Sequence, residues 1–139
     1  MNKKDHLFLE AGKIINRLYD ESLCERIKHE LYEEYVSLLR RSAYLGNPEA
    51  QFELGQTYED INFWGDPTLY NPKKLFYWYQ KACEGNYGEA CNSLAHMYEL
   101  GVVVERDLQK ALKLYEKASL LGSDTGKRNY KLMLKQLKS

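Results

Sequence analysis

The chain has 139 residues, enough for one domain that buries roughly 68–70% of its unfolded surface. Twenty basic and twenty acidic residues leave it formally neutral, so the overall balance argues against a nucleic-acid or membrane partner. Three cysteines are too few for a disulfide scaffold, and no stretch approaches the ~20 apolar residues of a membrane span.

The first residues, MNKKDHLFLEAGKIINRLYDE, lack the apolar core and small-residue cleavage site of a secretory signal. A cytoplasmic location is therefore expected. Ala11, Ile15 and Tyr19 step by four and predict an opening helix over about residues 5–20. Ser22 and Glu25 make a possible capping box for a long helix running to about Tyr44. Gly46 suits a left-handed helix end, and Asn47-Pro48 starts a returning helix carrying Ala50, Leu54 and Tyr58. A loop follows, Glu59 to Pro72, in which Phe63 and Trp64 sit beside the turn residues Gly65, Asp66 and Pro67. Asn71-Pro72 and Asp107 cap two further leading helices, and Ser123 or Asp124 caps the last returning one.

Aligned on Ser42, Ala82 and Ala118, these segments repeat at spacings of 40 and 36 residues. Leu39, Tyr79 and Tyr115 stand three positions earlier, and Gly46, Asn86 and Gly122 four later. Ala50, Ala90 and Gly126 coincide further on, then Leu54, Leu94 and Tyr130, then Tyr58, Tyr98 and Leu134. Small residues in two facing columns predict helices that approach closely near their connection. Large apolar residues at the intervening positions fill the remainder. Periods of this size indicate stacked helical pairs. The expected fold is all-α, a right-handed α/α solenoid of about three and a half hairpins. It forms a single domain over residues 1–139, with an opening helix and repeats at about 22–60, 71–100 and 107–137.

These columns resemble the Sel-1-like repeat family, relatives of the tetratricopeptide repeats. The resemblance rests on YEKASLLG from Tyr115, AQFELGQTY from Ala50 and YELGVVVERDLQKAL from Tyr98, and covers about Val36 to Leu134. It departs from the pattern at Lys131, where the other units have small residues, and in the stretched loop of residues 60–70. KACEGNYGEAC, from Lys81, is similar to a narrower branch, the secreted cysteine-rich bacterial repeat proteins, and this implies a disulfide between Cys83 and Cys91. The flanking units carry Ala43 with Gln51 and Ser119 with Lys127 instead. The two sulfurs are expected within bonding reach but reduced in a cytoplasm.

The resemblance implies a protein-binding module without chemistry of its own. His6, His29 and His96 fall in different units, so no metal site is expected, and no cofactor either. Relatives in the cysteine-rich branch suggest an alternative, a penicillin-binding or β-lactamase-like enzyme, although the serine-x-x-lysine signature is absent. The expected partner is another protein, with neither nucleic acid nor membrane. Contact is expected through a concave face formed by the leading helices, with Ser37, Arg40, Lys73, Tyr77, Gln80, Lys113 and Glu116, and through Phe63 and Trp64. A toxin-immunity protein and a regulatory adaptor both fit that description. Lys127, Arg128, Lys131, Lys135 and Lys138 either meet an acidic partner or complement the end of the last helix.

Overall fold

The computed structural model describes residues 1–59 and 67–139. Among these, seven α-helices follow one another: α1 (Lys3–Arg17), α2 (Glu25–Tyr44), α3 (Pro48–Gln56), α4 (Pro72–Glu84), α5 (Gly88–Leu100), α6 (Leu108–Leu120) and α7 (Asp124–Lys138). A 3-10 turn, Pro67–Leu69, precedes α4. Each helix packs on its neighbours in sequence, and α5 also touches α7. The architecture is a right-handed α/α solenoid, and no described helix is long and apolar enough to cross a membrane.

One turn is built three times. The anchor residues Ser42, Ala82 and Ala118 are completely buried, and their carbonyls accept the amides of Asn47, Tyr87 and Ser123 at 3.0–3.1 Å. Gly46, Asn86 and Gly122 take positive φ between these ends, at 97°, 68° and 92°. Their amides donate to Ala43, Cys83 and Ser119, which completes the paired bonds of a Schellman helix end. Two turn residues also start the next helix: Asn47 Oδ1 accepts the Ala50 amide at 2.8 Å, and Ser123 Oγ accepts that of Gly126 at 2.9 Å. At the other connections Asn71 and Asp107 cap α4 and α6 through the amides of Lys74 and Lys110.

The small columns face each other as expected. A Cβ on Gly126 would lie 2.6 Å from that of Ala118, so no side chain fits there without displacement. Ser42 uses its hydroxyl, which donates to the Lys4 carbonyl and fastens α2 to α1. The capping box expected at Ser22 and Glu25 is not formed. Cys24 occupies the N-cap position without a side-chain bond, and Ser22 donates its hydroxyl to Asp20 at 2.6 Å. Ser22 lies two residues ahead of the cap, where the neighbouring carboxylate captures it.

Gln51 and Cys91 occupy equivalent positions and brace their hairpins by different chemistry. Gln51 Nε2 donates to the Ala43 carbonyl at 3.0 Å. Cys83 and Cys91 are joined by a disulfide, with Cα atoms 4.6 Å apart. The sulfurs lie within bonding reach because both cysteines are buried on facing turns of α4 and α5. Cys24 is the free, exposed cysteine.

Closing so short a loop stabilises the fold by about 2.5 kcal/mol on the chain-entropy estimate. A thiol count on the air-isolated native protein should find one reactive group, at Cys24, and reductant should lower the unfolding midpoint. Val103 tests a second local effect, because it is β-branched, 45% exposed and held at φ 68°. Val103→Gly should raise stability by about 1 kcal/mol in denaturant titrations, since the relieved left-handed strain exceeds the added backbone entropy.

Candidate functional site

The joints between hairpins determine which surfaces are free. Tyr79 on α4 donates its hydroxyl to Glu59, just after α3, and Tyr115 on α6 donates to Glu99 on α5 at 2.6 Å. Beside each bond a backbone link recurs, from Asn71 to the Tyr58 carbonyl and from Asp107 to that of Tyr98, both at 2.9 Å. Burial, and then the accepting carboxylate, push both tyrosine hydroxyls far above the ordinary tyrosine range. Tyr35 behaves likewise against Glu53 at 2.7 Å. Burial also raises the Glu53 carboxyl, partly offset by that hydrogen bond.

A groove of about 530 Å³ opens between α4, α5 and α7. Leu75, Tyr79 and Met97 form its apolar floor as one buried cluster. Asn92, Ser93 and His96 project from α5, Asn129 from α7, and Glu59, Tyr70 and Val102 complete the rim. Asn129 Nδ2 donates to Asn92 Oδ1 at 2.9 Å, bridging the two returning helices. That bond leaves the Asn92 amide as a free donor and the Asn129 carbonyl as a free acceptor. Such a surface can hold an apolar side chain and hydrogen-bond the polypeptide beside it.

None of the expected contact residues that the structure describes lines this groove. Ser37 and Arg40 on α2, Lys73, Tyr77 and Gln80 on α4, and Lys113 and Glu116 on α6 are all exposed. Among the returning helices α5 packs on α7, and no comparable contact joins the leading helices α4 and α6. Tyr77 is 49% exposed, with its ring 5.0 Å from that of Trp78. Glu116 accepts the Tyr130 hydroxyl at 3.2 Å. Phe63 and Trp64 lie outside the described residues. A signal for the groove was present in the repeat itself. The column three after the small residue reads Glu53, Ser93 and Asn129, polar each time.

The Sel1 repeat pattern matches residues 48–87 and 88–123, more than half of the chain. The chain belongs to the Sel1 repeat family. Each matched unit begins on a returning helix and runs through the next leading one, so the Tyr–Glu joints lie inside the family unit. Among solved structures, a Sel1 repeat protein from Oxalobacter formigenes is similar with a TM-score of 0.72 and 26% identity, over 93% of this chain and 88% of that one. A protective antigen present in uropathogenic Escherichia coli strains, displaying an SLR fold, gives 0.68 and 26% over 91% of this chain and 26% of its own. Cysteine-rich protein B of Helicobacter pylori shares the fold at 0.62 and 20% identity, covering 90% of this chain and 95% of that one. A curated rat protein, DAP3-binding cell death enhancer 1, is 34% identical over 89 residues, 64% of this chain. The match spans only 16% of the rat protein's length. Sel1 repeats generally serve as non-catalytic scaffolds for protein–protein interaction, and the penicillin-binding alternative finds no support among these relatives.

The raised tyrosine hydroxyls have a pH consequence with a definite sign. A group whose pKa is higher folded than unfolded contributes its full stability below the unfolded value, about 10 for tyrosine, and loses it as pH rises further. Stability should therefore fall above about pH 10. In alkaline unfolding titrations, Tyr79→Phe with Tyr115→Phe should flatten that limb while lowering stability near neutrality.

Proposed function

We propose that this chain is a non-catalytic protein-interaction module and that the groove between α4, α5 and α7 receives part of a protein partner. The observation that carries this is the pairing of an apolar floor, Leu75 and Met97, with the remaining amide donor of Asn92 and carbonyl acceptor of Asn129. Complementary polar groups around an apolar seat give orientation as well as affinity. The exposed face with Ser37, Arg40, Lys73, Tyr77, Gln80, Lys113 and Glu116 supplies a second contact region, centred on Tyr77. A dedicated partner role follows from this reading, either an immunity protein that neutralises a toxin or a regulatory adaptor. The cytoplasm belongs to the same proposal, and alkylation of cells before lysis that found Cys83 and Cys91 blocked would count against it.

The test is to capture the partner with the tagged chain in its native cell, identify it, and repeat the binding with purified components. Ser93→Arg, which fills the groove, should weaken that affinity at least about tenfold, and Tyr77→Ala by a smaller factor. Full affinity in both variants would remove these faces from consideration. Saturable labelling by a tagged penicillin would overturn the non-catalytic reading itself.

A further inference from the structure

The last helix departs from the repeat in one direction only. In register with α3 and α5, Lys127 stands where Gln51 and Cys91 do, Lys131 where Gly55 and Ala95 do, and Lys135 where Glu59 and Glu99 do. In α3 and α5 the second and third of these columns seat the following helix, whereas Gln51 and Cys91 brace their own hairpins. A Cβ on Gly55 would lie 2.8 Å from the Tyr79 ring, Ala95 is fully buried in one cluster with Tyr115, and the two glutamates take the tyrosine hydroxyls. On α7 the equivalent seat is exposed, and all three positions are lysine.

Arg128 and Lys138 join these lysines within an arc of about 100°, opposite the buried Gly126 and Met133. None of the five cations forms an ion pair with a described residue. Helix energetics account for part of the row. The dipole favours Lys135 and Lys138 in the last turn but disfavours Lys127 and Arg128 near the first. Lys127, Lys131 and Lys135 also repel one another at four-residue spacing. Helix energetics therefore leave Lys127, Arg128 and Lys131 unexplained on this face.

We infer that this face docks an acidic helix of a partner protein, lying where a further helix of the stack would lie, with carboxylates three or four residues apart meeting Lys127, Lys131 and Lys135. Continuity with the stacking interface favours a helix, since the columns of Lys131 and Lys135 receive α4 and α6 earlier in the chain. A repeat helix of that kind, bringing a tyrosine ring and hydroxyl, finds neither a small seat nor a carboxylate here. The neutral net charge and the ten acidic residues between Asp20 and Asp60 oppose a long polyanion, which would meet them as well.

The test uses the full chain and fluorescence anisotropy at low salt, with a labelled alanine-based helical peptide bearing Glu at every fourth position. Its Gln counterpart, a short DNA duplex and phosphatidylcholine vesicles containing phosphatidylserine are measured alongside. The Glu peptide should bind at least about tenfold more tightly than the Gln peptide, and the preference should shrink as salt is raised. Lys131→Glu with Lys135→Glu should abolish it while leaving the circular dichroism and unfolding midpoint unchanged, because both side chains point away from the core. Equal binding of the two peptides, or binding unaffected by the double variant, would overturn the proposal. So would tighter binding to the duplex or vesicles, or self-association in sedimentation that the double variant removes.

Discussion

Everything in this fold follows from how closely two helices meet at their connection. At the third hairpin the backbone of α7 comes so near α6 that one methyl group, on Ala118, fills the space, and Gly126 opposite it has none to offer. A gap that narrow demands small residues on both sides and a connection short enough to hold the helices there. The left-handed residue at Gly46, Asn86 and Gly122 provides that connection in a single step, because its amide and the next one close the preceding helix end. With the turn set, the flanking apolar stripes have one orientation in which they can be buried. The repeat is thus a consequence of one backbone constraint met three times.

Stacking the hairpins is a separate problem, solved with polar chemistry. Tyr79 and Tyr115 cross from one hairpin to the next and deliver their hydroxyls to glutamates that the preceding helix holds at its end. A hydrogen bond to a carboxylate is worth about 1.5–3 kcal/mol net, more than a neutral pair. It also fixes register, since a slip of one turn would bury a hydroxyl and a carboxylate without partners. The first joint works differently. Leu39 occupies the tyrosine column, fully buried, and Asp20 in the glutamate column bonds Ser22 instead. Both members of the pair are replaced together, so neither is left unsatisfied.

The hairpins and their turns were legible in the sequence because local rules govern them. Caps, left-handed residues and small columns act within ten residues, and a repeat shows each of them several times. Helix α2 was less legible at its start because Asp20 competes for Ser22, an interaction that capping rules do not anticipate. The candidate binding surface was harder still. Exposure of Ser37, Lys73 and Tyr77 follows from helical period alone, whereas the groove depends on how α4, α5 and α7 come together. That is a property of the stack, of which the column of Glu53, Ser93 and Asn129 is only a partial sign.

What distinguishes this chain lies where the columns break. Gln51, Cys91 and Lys127 hold one position and have a hydrogen bond, a disulfide and a free cation respectively. The first two brace a hairpin by different chemistry, so the position tolerates any side chain that satisfies the carbonyl or sulfur facing it. The third braces nothing, and Lys131 and Lys135 follow it out of the structural role on the same face. Here all of them are of one sign and on one line, which packing does not require and which recognition of an acidic surface would.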